Sequence, residues 1–166
     1  MWVLEFSPAL VSRISRFALY KVPSGRGSVR YCRTMTWRAL HVSQTIDRSV
    51  EDVIAFAGDP RNLPEWAAGL TTAELRRAGD EWVTDSPMGL IKIRFGGPVA
   101  AGVLDHDVTT ADGMVVHNPM RVLANDGGSE VVFTLYQRDD MTSEEFERDA
   151  GLIRDDLARL RDLLEP

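Results

Sequence analysis

Between residues 37 and 46, Leu40, Val42, Gln44 and Ile46 alternate with Ala39, His41, Ser43 and Thr45. A period of two marks a half-buried strand. The pattern then changes. Ser49 followed by Asp52 reads as a helix start, with Val53 and Phe56 as its apolar face and Gly58 as its stop. Asp59-Pro60 opens a second short helix that ends at Trp66, because proline's missing N–H costs nothing in the first helical turn. The body therefore begins as a strand followed by two short helices.

Turn chemistry divides the middle of the chain. Residues 77–80, "RAGD", join "TTAELRR" to "EWVT"; "SPMG" joins that segment to "LIKIRF"; "GGP" joins the next to "VAAGVLDHDVT". Gly113 in "ADG" fits the left-handed position of a three-residue hairpin loop, and Asp126-Gly127 is a two-residue hairpin signal. The first loop sets Thr110 opposite Met114, hence His106 opposite Asn118 and Leu104 opposite Met120. The second sets Asn125 opposite Gly128, Val122 opposite Val131 and Met120 opposite Phe133. Both turns then place Leu104, Val108, Met114, Val116, Met120, Val122, Val131, Phe133 and Leu135 on one face. A slip of one residue would expose that whole set.

The chain closes on "MTSEEFERDAGLIRDDLARLRDLLE". Thr142 and Glu145 form a capping box, and Met141 and Phe146 have hydrophobic-staple spacing. Phe146, Ala150, Ile153, Leu157, Leu160 and Leu164 make one apolar stripe along a long helix. The inner face of the sheet is the surface able to bury it. The expected fold is α+β: an antiparallel sheet of about seven strands wrapped around a long C-terminal helix, with two short helices between strands 1 and 2.

Over residues 37–165 this order resembles the START-like helix-grip (SRPBCC) superfamily, and most nearly its small polyketide cyclase/dehydrase and lipid-transport branch. The resemblance is carried by "DRSVEDV" leading into "DPRNLPEW", by "GSEVVFTLYQ" and by the terminal helix. It implies a hydrophobic cavity between sheet and helix, closed at one end by the two short helices, with Pro64-Glu65-Trp66 shaping its lid. Carriers, receptors, cyclases and chaperone cofactors share this architecture, so the resemblance speaks to fold more than to activity.

Charge separates the first 34 residues from the rest. Residues 1–36 carry Arg13, Arg16, Lys21, Arg26, Arg30 and Arg33 against Glu5 alone, whereas the remainder holds 13 basic and 24 acidic side chains. So acidic a body would repel a phosphate backbone, which argues against nucleic acid as a partner. Residues 1–34 are expected to be poorly packed, with 35–166 forming the domain. Three readings of the extension stand: a targeting peptide, a surface-binding arm, or sequence upstream of a working start at Met35. On the last reading, removing residues 1–34 is expected to leave the melting temperature within about a degree or two; a larger fall would mean that they pack on the body. A single cysteine, Cys32, and the lack of any run near the roughly 20 apolar residues of a membrane span are consistent with a soluble, cytoplasmic protein. The oligomeric state stays open.

Asp105-His106-Asp107 invites a catalytic or metal reading, but successive strand residues point to opposite faces. His106 is expected inward with Leu104 and Val108, and Asp107 outward beside His117. Gln44, Thr84, His106, Asn118 and Gln137 are polar residues at inward positions, and buried polar groups need partners. His106 and Asn118 could bond each other across the strands, form the polar end of an apolar pocket, or provide acid–base chemistry through a histidine near its pKa. The expected ligand-binding set is His106, Asn118, Trp82, Ile93, Phe95, Met120, Phe133, Ile153, Gln44 and Trp66, with His106 the sole candidate catalytic residue. The histidines lack metal spacing, "GGP" is a turn rather than a phosphate loop, and no cofactor is implied. Met88, Met114 and Met120 read as adaptable packing. The leading expectation is binding or transport of a small hydrophobic, polycyclic, polyketide-like or lipid-like molecule. Its competitors are a polyketide cyclase/dehydrase-type enzyme using His106 and a protein-interaction module without a ligand.

Overall fold

The computed structural model describes residues 36–68, 70–86 and 89–165. The basic extension 1–34 and Met88 lie outside the described residues. The elements run β1 (Arg38–Ile46), α1 (Val50–Ala57), a 3-10 turn (Pro60–Asn62), α2 (Leu63–Trp66), β2 (Arg76–Ala78), β3 (Glu81–Ser86), β4 (Gly89–Phe95), a second 3-10 turn (Val99–Ala101), β5 (His106–Thr109), β6 (Val115–Asn118), β7 (Met120–Asn125), β8 (Gly128–Gln137) and α3 (Ser143–Leu164). Local signals account for the helix starts. Ser49 accepts from the Asp52 amide at α1, Asp59 accepts from Arg61 N before α2, and Thr142 with Glu145 closes a reciprocal capping box on α3.

Two antiparallel ladders form, β1-β8-β7 and β2-β3-β4-β5-β6. The segment before β5 joins them: Val103 bridges Arg121, Leu104 N donates to Met120 O at 2.9 Å, and Val122 N donates to Gly102 O at 2.9 Å. Both expected hairpin registers are present, with His106 opposite Asn118 and Val108 opposite Val116, and with Val122 opposite Val131 and Met120 opposite Phe133. Gly113 has φ +87° and Asp126 φ +51°, the left-handed conformations these loops require.

Three segments differ from the sequence expectation. Residues 114–125, expected as one strand, break at Pro119, which cannot donate to a ladder; its carbonyl instead accepts from Thr134 N at 2.9 Å. Among the described residues eight strands result rather than seven. "VAAG" is a 3-10 turn that ends at Gly102, where φ is +74° and a Cβ would lie 2.4 Å from the Val122 carbonyl oxygen, so glycine alone fits. "TTAEL" is loop rather than strand. Thr71, fully buried, bonds Thr84 Oγ1 at 3.0 Å and the Asp85 carbonyl at 2.9 Å, and these side-chain bonds replace a ladder.

The sheet wraps α3, the helix-grip arrangement, with α1 and α2 between β1 and β2. At about 1.5 Å per residue, the 22 residues of α3 span roughly 33 Å. It packs against β1, β8 and α2, burying Phe146, Ala150, Leu157 and Leu160. The Arg38 guanidinium lies 4.6 Å from the Phe146 ring centroid and bonds Glu147 at 3.1 Å, tying β1 to the start of α3. Arg48 Nε donates to the Leu164 carbonyl at 2.6 Å and fastens the other end. Arg159 reaches the Glu65 carbonyl and fastens α2. Among the described residues, no helix is long and apolar enough to cross a membrane.

Candidate functional site

The apolar face that the two hairpins create is put to two uses. Leu104, Met120, Val122 and Val131 are packed in the core with Ile46, Leu157 and Leu160. Met114, Val116 and Leu135, with Val108 and Phe133 at the border of the core, line a cavity of about 450 Å³, opposed by Ile153 and Leu157 of α3 and by Leu63 and Trp66 of α2. That volume lies in the usual range for small-molecule sites. Met114 and Leu152 are 39% and 45% exposed, so the cavity opens to solvent past these two side chains. Arg138, Arg148, Asp149 and Asp156 are the charged residues of its lining. Arg138 bonds Asp140 at 3.1 Å, and Arg148 bonds Asp149 at 3.2 Å.

His106 is the buried polar group of this wall, 6% exposed. Its ring sits 5.5 Å from that of Phe95 and 6.2 Å from that of Phe133, centroid to centroid. Nδ1 lies 3.0 Å from the Leu104 carbonyl oxygen. A carbonyl only accepts, so Nδ1 carries the proton and, in the neutral ring, Nε2 holds a free lone pair. Burial pushes the His106 pKa below its ordinary value, partly offset by the bond to Leu104. The expected cross-strand bond to Asn118 does not form; the two are register partners, but the Leu104 carbonyl takes the imidazole N–H.

That burial makes stability depend on pH. In the unfolded chain His106 titrates near 6.5, whereas the folded ring stays neutral to lower pH. Below about pH 6.5 the unfolded state therefore binds a proton that the folded state does not, and stability falls as pH falls. Asp107, whose carboxylate is favoured by its bonds to His117 and Arg94, loses its contribution only at lower pH. The melting temperature is thus expected to decline from pH 7 to pH 5 more steeply in the wild type than in His106→Gln. Parallel curves would show that His106 titrates alike in both states.

The outward side of β5 behaves as strand geometry requires. Asp107 Oδ1 accepts from His117 Nδ1 at 2.8 Å, and its Oδ2 accepts from Arg94 at 3.2 Å. Asp105 accepts from the Met120 amide at 2.9 Å and pairs with Arg121, securing the bridge between the ladders. Among the described residues, no group of three or more His, Cys, Asp or Glu side chains could hold a metal ion.

No protein-family model and no curated protein matches the chain. Solved structures do. Aha1 from Colwellia psychrerythraea superposes with a TM-score of 0.63 at 13% identity, covering 77% of this chain and 96% of that one. XoxI from Bacillus cereus gives 0.59 at 17% identity over 76% and 94%. DynU16, from the dynemicin biosynthetic locus, gives 0.59 at 17% identity over 76% of this chain and 47% of its own. The fold is helix-grip. At these identities the likeness extends to the fold alone.

Within this helix-grip domain the ten residues expected at a site separate. Trp66, His106, Asn118, Phe133 and Ile153 line the cavity together. Ile93 and Met120 are sealed in the core, and Trp82 packs against it. Phe95 stands behind His106 rather than in the cavity wall. Gln44 turns its amide to the Thr45 carbonyl at 2.8 Å. Of the other inward polar residues, Thr84 bonds Thr71, and Gln137 reaches the Met141 carbonyl at 3.3 Å. The residues that sequence reasoning missed include Leu63, Arg148, Leu152 and Asp156. The last three repeat every four positions beside the apolar stripe, a spacing that could have identified a second working face of α3.

Proposed function

We propose that the domain of residues 35–166 binds a small, largely apolar molecule inside the helix-grip cavity, as a cytoplasmic binder or carrier. The observation that carries this reading is the division of the sheet's inner face. On that face Leu104, Met120, Val122 and Val131 are packed in the core, whereas Met114, Val116 and Leu135, together with Val108 and Phe133 at the border of the core, face about 450 Å³ of space. An unfilled apolar void costs stability in proportion to its size, so a domain that keeps one open to solvent has a use for it. Polycyclic, polyketide-like and lipid-like molecules all suit such walls. The direct test is native mass spectrometry of the protein purified from its own host. A discrete added mass that disappears on denaturation is expected, and its loss in Ile153→Phe, which puts a bulkier side chain into the cavity wall, would locate it. A co-purifying ligand retained unchanged in that variant would place binding elsewhere.

A second reading, an enzyme of the polyketide cyclase/dehydrase kind, is favoured by one observation: His106 presents a neutral imidazole with a free Nε2 lone pair in the cavity wall, the form required of a general base. DynU16, a fold neighbour, comes from a biosynthetic locus.

A further inference from the structure

Resting on the cavity-binding reading, we infer that the cavity selects an uncharged ligand bearing a hydroxyl group, phenolic, enolic or alcoholic, whose O–H donates to His106 Nε2. Three observations converge on this. The first is the tautomer. The Leu104 carbonyl holds the Nδ1 proton, so the cavity-facing nitrogen is an acceptor and calls for a donor.

The second is that Nε2 is open to a ligand. Among the described residues, the buried side-chain nitrogen and oxygen atoms without a partner are Trp66 Nε1 and Ser129 Oγ. His106 Nε2 is not one of them, yet Nδ1 is the ring nitrogen that meets a protein group. Nε2 is therefore reached from the cavity that its ring lines. Asn118, the register partner of His106 and also in the lining, carries both a donor and an acceptor.

The third is the charge of the lining. Two arginines are balanced by two aspartates, and each arginine already bonds a carboxylate. A ligand carboxylate directed inward would meet an acceptor nitrogen, and one directed outward would compete with Asp140 and Asp149 for the same guanidinium groups. Neither end favours an anion. The burial that keeps His106 neutral supports the same conclusion.

The test uses three probes of matched shape: 2-naphthol, 2-methoxynaphthalene and 2-naphthoate, titrated calorimetrically into the whole protein near neutral pH. The methyl ether is more apolar than the naphthol but has no proton to donate, so hydrophobicity alone would rank it first. The naphthol is expected to bind on the order of tenfold more tightly than the ether, with the carboxylate weakest. In His106→Leu the naphthol and the ether should converge to within about twofold. In His106→Gln, whose amide oxygen still accepts, part of the preference should survive, which also keeps the test informative if the leucine variant does not fold. Equal binding of all three probes, or preference for the carboxylate, would overturn the hydroxyl inference and leave cavity binding standing. Binding of none of them would overturn both.

Discussion

Leu160→Asp should abolish cooperative folding. Leu160 is fully buried in the core cluster, on the turn of α3 that follows Leu157. An aspartate there puts a carboxylate into an apolar core cluster. Burying an unpaired charge, added to the loss of a core leucine, costs several kcal/mol, against a total stability of about 5–15 kcal/mol for a domain. Asp155→Lys is the control. It lies on the solvent side of the same helix, where substitutions change stability by about 0.5 kcal/mol or less. Ile153→Asp falls between them. Its place in the apolar stripe suggests a cost equal to that of Leu160, but Ile153 is half-buried and lines the solvent-connected cavity. There an aspartate can stay hydrated. Urea midpoints followed by far-UV circular dichroism are expected to rank Leu160→Asp far below Ile153→Asp, with Asp155→Lys near the wild type. Equal losses at 153 and 160 would mean that the helix is packed along its whole length and that the cavity is filled.

That contrast also explains what could be read in the sequence. The registers of β5 with β6 and of β7 with β8 follow from Gly113 and Asp126-Gly127, because short hairpin loops act locally and leave little freedom. The caps of α1 and α3 are local for the same reason. The break at Pro119 was missed, although proline within a strand is an edge or interruption signal, and its effect was to divide one ladder into two. The "TTAEL" loop was not legible. Its form depends on a threonine pair, Thr71 and Thr84, thirteen positions apart in the chain.

The site was legible only in part, for a related reason. Alternation along a strand tells which side a residue faces, and it placed His106, Asn118 and Phe133 inward. It does not tell whether α3 stands close enough to fill the space in front of them. Met120 and Phe133 are register partners on one face, yet Met120 is packed and Phe133 lines the cavity. The difference lies in the separation of sheet from helix, which is a property of the whole assembly. The charged edge of the cavity, Arg148 and Asp156 among it, escaped notice because such residues on a helix usually mean no more than a solvated face.

His106→Gln is expected to separate a carrier from an enzyme. In a carrier the imidazole orients its ligand through one hydrogen bond, and glutamine retains an acceptor at a similar reach. Binding of a co-purified ligand should then weaken by no more than about 1–2 kcal/mol. In an enzyme the ring would have to take up a proton in the transition state. Glutamine cannot do this near neutral pH, so turnover should drop on the order of 100-fold or more while affinity is retained. The setting of His106 bears on the choice. Burial holds its pKa below the ordinary value, which weakens it as a base at neutral pH, and neither Asp105 nor Asp107 supports its Nδ1 proton; a backbone carbonyl does. A charged imidazolium formed during a reaction would therefore have no carboxylate bonded to its ring. Measuring affinity and product together, for wild type and variant, is expected to show binding in both and product in neither. Wild-type turnover that disappears in His106→Gln with affinity intact would make the protein an enzyme and His106 its base.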